Sequence, residues 1–320
     1  MIPWQEFPWQ QEEPDPVRDR LCTGSRGPTH LDCRIEGANF AAQPAAPKDE
    51  IVVCAYNVER GLRLDDQLSV FVSDSGMPSP DVLLINEADR GCTRSGNRNV
   101  AREYARALGM CYVYGVEFIE LPRLWGPGGS VRRRCEHGNA IVSRFPLGNV
   151  RLIRHERTRN WHSLLQRILR VGEPRLGGRV ALAADVRVGE RLLRLYSVHF
   201  ESGQRGDGAA FREAQARELI ADASDLQQGV VIGGDMNVGG YLGLRGGDES
   251  PEPTTSALAG AGYEDAHAVL PRGERVTTDS GLAIDLIFGR GLRFTGAGVA
   301  PRKIWGGLSD HLPVWARVSI

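Results

Sequence analysis

From residue 51 onward the chain is built of short, unbroken apolar runs that stop abruptly at turn residues or at acids, amides and imidazoles. The runs at 51–56 and 81–85 have no polar alternation, which is the pattern of strands buried on both faces. Further strands are predicted at 111–118, 138–143, 180–188, 192–200, 229–233, 283–288 and 312–318. Between the first two runs, Leu64, Leu68 and Phe71 keep helical spacing. Residues 99–108 put Val100, Tyr104 and Leu108 on one side and arginines on the other, and a third helix is predicted over 211–226. Strands that bury both faces need cover on both, so the expected fold class is α+β, two packed sheets with helices on their outer faces.

Composition narrows the alternatives. With 320 residues, 41% apolar and 25% charged, the chain is not disordered, collagenous or a coiled coil. Lys+Arg of 39 against Asp+Glu of 40 leaves a net charge of -1, so attraction to a polyanion has to be local. The six cysteines, Cys22, Cys33, Cys54, Cys92, Cys111 and Cys135, are scattered singly without a CxxC pair and are expected to be reduced. No secretory leader follows Met1 and no run approaches the ~18 apolar residues of a membrane span, so a cytoplasmic protein is expected. Residues 1–49, rich in Pro, Gln and Glu, show neither a strand period nor that of a long helix. They are expected to be an extension, tail or strap, with 43–47 as linker; Trp4, Phe7 and Trp9 favour the strap. Residues 50–320 are expected to form one catalytic domain.

Five strand ends deliver polar groups: Tyr56-Asn57, Asn86-Glu87, Ser197-Val198-His199, Gly234-Asp235-Met236-Asn237, and Ser309-Asp310-His311 ahead of a final strand. A rigid sheet can hold a site at such ends, and its apolar interior lowers the local dielectric. Asp235 and Asn237, two apart, face one side of an extended segment. No Cys/His set has zinc-site spacing and no GxSxG elbow is present.

The ordered set NVERG, INE, HGNAIVSRFPL, SVHFES, GGDMN, AIDLIF and LSDHLP resembles the endonuclease/exonuclease/phosphatase superfamily over residues 51–318. The resemblance implies a four-layer α/β/β/α sandwich and a phosphoester hydrolase, with a divalent metal at one edge of the sheets. That metal is usually Mg2+, and Mn2+ is its substitute. By position, Glu87 is the implied principal metal ligand, assisted by Asn57 and, directly or through water, by Asp310. Hard oxygens of this kind suit Mg2+, which keeps several of its waters. The implied catalytic residues are Asp235, which positions or deprotonates the attacking water; Asn237, on a phosphate oxygen; the His311–Asp285 dyad; and His199, a phosphate contact or general acid. Asn139 matches the position that reaches toward substrate. Asn86 stands where the family usually has Gln. His30, His155, His162 and His267 lie outside the motifs.

Residues 123–179 carry 13 arginines, no lysine and three acids, a local +10 that leaves -11 for the rest. Arginine suits bidentate contact with phosphate, and Arg132, Arg133 and Arg134 are candidate substrate contacts. A face paired with acids elsewhere explains the same charge. Trp161, Leu164, Leu165, Ile168 and Leu169 fall at helical spacing among arginines, as in a helix resting on an anionic membrane or packing on its own domain. Expected substrates are therefore a nucleic acid phosphodiester, favoured, or a phospholipid headgroup or small phosphoester. A catalytically silent binding module is the third alternative.

Overall fold

A computed structural model describes residues 4–9, 35–120, 135–159, 175–203, 207–238 and 252–320. An eight-stranded sheet runs in the order β1 (Glu36–Asn39), β4 (Cys111–Glu120), β5 (Glu136–Ser143), β3 (Val82–Arg90), β2 (Glu50–Asn57), β14 (Val314–Ser319), β13 (Arg293–Val299), with β7 (Arg175–Gly177) also on β4. A six-stranded sheet runs β11 (Glu264–Asp265), β12 (Asp285–Arg290), β10 (Gly229–Asp235), β9 (Arg191–His199), β8 (Val180–Val188), β6 (Leu147–Arg154).

The unbroken apolar runs are explained by three stacked cores. In β2, Ile51, Val53 and Ala55 face the other sheet and meet Leu195, Val231 and Ile287, while Cys54 and Tyr56 point outward under the helices. Helices α1 (Leu64–Val72) and α2 (Val100–Leu108) cover that outer face through Leu64, Phe71, Val100 and Tyr104. On the far side α3 (Gly208–Asp222) and α4 (Pro253–Gly260) place Ala216, Leu219 and Leu258 over Tyr196, Val230 and Phe288. The result is the α/β/β/α sandwich. Asn99 caps α2 by accepting the Arg102 backbone N–H at 3.1 Å, and Gly109 ends it at φ 62°. Among the described residues no helix is long and apolar enough to cross a membrane.

Two expectations are corrected. The segment before residue 50 contains a strand: β1 pairs with β4, and Glu6 bridges Gly148 while Phe7 and Trp9 pack against the inter-sheet core. The cysteines are not all reduced, because Cys92 and Cys135 form a disulfide. Their 43-residue separation hides the pair in sequence, whereas the antiparallel register of β3 and β5, Arg90 opposite Glu136, brings their Cα atoms to 4.4 Å. Cys54 and Cys111 are free and buried.

Candidate active site and metal centre

The carboxyl ends of the central strands of both sheets converge. β2 ends with Asn57 beside Asn86 of parallel β3, parallel β9 and β10 end with His199 beside Asp235, and antiparallel β12 starts with Asp285 opposite Asp235. Amides stitch the two sheets together here. Asn57 Nδ2 donates to Asp235 Oδ2 at 3.2 Å, and Asn86 Oδ1 accepts the Asp235 backbone N–H at 2.9 Å. Asn86 Nδ2 donates to Asn139 Oδ1 at 3.0 Å. Gly234, at φ 143°, permits this approach, since a Cβ there would lie 2.0 Å from the Val198 carbonyl oxygen and 2.7 Å from Asn86 Oδ1.

Behind Asp235 lies a carboxylate–imidazole–carboxylate series. His311 Nδ1 is 2.8 Å from Asp285 Oδ2, and its Nε2 is 3.8 Å from Asp235 Oδ2. Burial disfavours the His311 cation, yet Asp285 and Asp235 outweigh it and hold the imidazole well above its ordinary range. Burial pushes the Asp235 carboxyl up to about 7, with the His311 charge opposing and Asp285 adding to the rise. The Asn237 backbone N–H donates to Asp235 Oδ1 at 2.9 Å, and Asn237 Nδ2 to the Phe200 carbonyl at 3.1 Å.

Glu87 sits where β3 slips register against β5, at φ 57°, with its side chain 18% exposed. Burial would raise its carboxyl, but His137, Arg60, Arg175 and His311 together hold it below the usual range, so it stays ionised. Asp310 is 61% exposed, and burial and Glu87 push its carboxyl up against the pull of His311. Glu59, raised by burial and by Asp310, completes an acidic rim. Glu59, Arg60, Glu87 and Asn237 are four of the six non-glycine residues with positive φ among the described residues, so backbone strain of about 1–3 kcal/mol per residue is concentrated at this edge.

The remaining wall is more buried. His199 Nε2 is 3.5 Å from Asp235 Oδ2 and its Nδ1 3.8 Å from Glu117 Oε2. Burial, reinforced by Arg179 and His137, holds His199 well below its ordinary pKa, as a neutral ring. Glu117, raised by burial, accepts Arg179 Nη1 at 2.7 Å. His137 Nδ1 lies 3.1 Å from Asp89 Oδ1, and Arg94 clamps Asp89 through two bonds of 2.7 and 2.9 Å.

These donors fit a divalent cation. Glu87 supplies an ionised carboxylate at a partly open position, and Asp310 and Asn57 supply further oxygens; Asn57 Oδ1 already accepts the Glu59 N–H at 3.1 Å. Among the described residues, buried Asp285 Oδ1, Glu117 Oε2, His137 Nε2 and His199 Nδ1 have no hydrogen-bond partner. The ligand atoms of Glu87, His137 and His199 lie within 4.8 Å of one another, as do those of Asp235, Asp285 and His311.

The fold thus gathers Asn57, Glu87, His199, Asp235, Asn237, Asp285, Asp310 and His311 at one edge. Asn139 is fully buried, its Oδ1 on Asn86 and its Nδ2 on the Val180 carbonyl at 3.0 Å, so its amide ties the two sheets together beside the site. Arg132, Arg133, Arg134 and the helix expected around Trp161 lie outside the described residues. Of the described arginines in that segment, Arg144, Arg151, Arg175 and Arg179 pair with Asp81, Asp222, Glu120 and Glu117, so part of the excess charge is balanced within the fold. Sequence reasoning missed Glu117, His137 and Asp89. The signal for Glu117 was present, since a lone acid inside the run YVYGVEF is a charge in a doubly buried strand.

The endonuclease/exonuclease/phosphatase family model matches residues 54–311. No curated protein matches the sequence. Among solved structures, an endonuclease/exonuclease/phosphatase from Beutenbergia cavernae is 17% identical with a TM-score of 0.64, over 85% of this chain and 72% of that one. D. rerio TDP2 complexed with a single-strand DNA product is 16% identical, TM-score 0.58, over 85% of this chain and 100% of that one. The human nocturnin catalytic domain with a bound sulfate anion is 16% identical, TM-score 0.54, over 89% and 97% respectively. The chain belongs to the endonuclease/exonuclease/phosphatase family and is a metal-dependent phosphoester hydrolase.

Proposed function

We propose that the chain cleaves phosphodiesters of nucleic acid, with Mg2+ as the cation and Mn2+ as its substitute. The observation that carries this reading is the Asp285–His311–Asp235 series at the edge where Glu87 is kept ionised. The arginine-only excess of residues 123–179 and the likeness to a structure holding a single-strand DNA product support a polynucleotide over a small ester.

Glu87, Asn57 and Asp310 would hold the cation, whose charge offsets that of the phosphate oxygens. Asp235, with a pKa of about 7, is suited to take the proton of the attacking water near neutral pH. His311, fixed by Asp285, stays cationic and binds a phosphate oxygen as charge develops. Asn237 steadies the same phosphate, and neutral His199 offers an N–H toward it.

A panel of single-stranded DNA, RNA, abasic duplex, sphingomyelin and inositol phosphates, each with Mg2+ or Mn2+, tests the proposal. Turnover confined to a nucleic acid supports it. Turnover confined to sphingomyelin vesicles or inositol phosphates overturns it in favour of a lipid or small-ester substrate, and no turnover on any of them favours the silent module.

A further inference from the structure

Glu87 belongs to two donor sets. One is the oxygen set with Asn57 and Asp310; the other is formed with His137 and His199. We propose that Glu87, His137 and His199 form a subsite for a divalent transition metal of the Mn2+, Co2+ or Zn2+ kind, which Mg2+ does not fill. This inference rests on the reading of Glu87 as a metal-binding carboxylate.

Four observations carry it. The ligand atoms of the three side chains lie within 4.8 Å of one another, close enough to share one ion. Both imidazoles are buried, at 0% and 3% exposure, and each has a ring nitrogen without a hydrogen-bond partner among the described residues, Nε2 of His137 and Nδ1 of His199. An unpaired polar atom in a dry interior is costly unless something unseen meets it. Next, His137 is oriented as metal-bound histidines are. Its Nδ1 lies 3.1 Å from Asp89 Oδ1, so that on metal binding the ring would keep its proton there and turn Nε2 to the ion, and Asp89 is itself immobilised by Arg94. The Cys92–Cys135 disulfide clamps this corner, three residues after Asp89 and two before His137. Lastly, the chemistry of the set discriminates. Imidazole nitrogen suits Zn2+ and, with falling affinity, Co2+ and then Mn2+, the most oxygen-preferring of the three, whereas it adds nothing for Mg2+, which demands oxygen and sheds water reluctantly. The nearby cations do not forbid the ion, because Arg179 and Arg175 are already paired with Glu117 at 2.7 Å and Glu120 at 3.0 Å.

The test uses the full chain with disulfide intact and no substrate. Pulsed electron paramagnetic resonance with one equivalent of Mn2+ should show 14N couplings from two directly bound imidazoles. Calorimetric titration should give Mn2+ an affinity at least ~100-fold above Mg2+. His137→Gln should remove one coupling and weaken Mn2+ about 10- to 100-fold, changing Mg2+ binding less than about twofold. Asp89→Asn, acting through His137, should weaken Mn2+ about 10-fold with both couplings retained. Melting curves establish that the variants fold, and the parent spectrum depends on neither. Mn2+ surrounded by oxygen ligands alone, or bound no more tightly than Mg2+, overturns the subsite. Nitrogen coupling together with full hydrolysis in excess chelator upholds the subsite and instead refutes the metal-dependent reading of the reaction.

Discussion

Asp285→Asn removes one negative charge from beside His311 while keeping the volume and an oxygen that can still accept the Nδ1–H. Two unit charges about 4 Å apart at an effective dielectric of about 20 interact by about 4 kcal/mol, equivalent to about 3 pKa units. Asp235, 3.8 Å from Nε2, still favours the cation, so the His311 pKa should fall from its raised position without losing all of that support. The sign for stability follows from the direction of the shift. A folded-state pKa above the unfolded value of about 6.5 gives stability that is full below pH 6.5 and is lost as pH rises through the folded pKa. The variant should therefore be less stable than the parent at pH 5 to 6, with the gap closing in alkali. Turnover should fall by about 10² to 10⁴, since the imidazolium loses much of its stabilisation and part of its orientation. Ring-proton titration by nuclear magnetic resonance reads the pKa, and denaturant unfolding at two pH values reads the linkage. A His311 pKa that moves by less than about half a unit would refute the coupling.

Glu87→Gln keeps the volume and loses the charge facing the cation, so turnover should drop at least ~100-fold while the variant still folds, with some loss of stability at neutral pH; a small loss in steady-state assays would remove Glu87 from the metal site. Asp235 is 2% exposed and its pKa is raised, so it contributes stability below about pH 4 that is lost as pH rises to about 7. Asp235→Asn should accordingly melt no lower than the parent at pH 8 while being nearly inactive, and a clearly lower Tm there contradicts the burial cost assigned to the ionised carboxylate. Reducing Cys92–Cys135 frees a 43-residue loop and should cost about 4 kcal/mol in a chain-entropy account, read as a shifted denaturant midpoint with and without reductant. Replacing Arg132, Arg133 and Arg134 together with Gln should flatten the dependence of log affinity on log salt by about 0.7 to 0.9 for each phosphate no longer neutralised; an unchanged slope on every polynucleotide makes these arginines structural.

Strands that bury both faces were legible because nothing else explains runs such as VVCAY and VLLI. The helices over 64–72 and 100–108 were legible through their period. Strands β6 and β13 were not, because LGNVRLIR and RFTGAGV sit at sheet edges, half exposed, where charge and glycine dilute the pattern. Helix α4, PTTSALAG, is short and small-residued, and its Glu252 cap is a tertiary device that also holds Arg212. At the site, residues at strand ends were readable as motifs. Glu117, His137 and Asp89 lie inside strands β4, β5 and β3, and only cross-strand register brings them to Glu87 and His199. Asn139 shows the converse: a motif position gives no burial, and this amide bonds Asn86 within its own sheet and the Val180 carbonyl of the other.

Metal-dependent phosphoester hydrolysis is tested most directly by following cleavage of a labelled single-stranded DNA oligonucleotide by the stripped protein in excess EDTA, then after adding back Mg2+ or Mn2+ in excess of the chelator. Cleavage absent with EDTA and restored by the cation, but not restored in the Glu87→Gln variant, is the predicted result. Undiminished cleavage in EDTA would contradict the account.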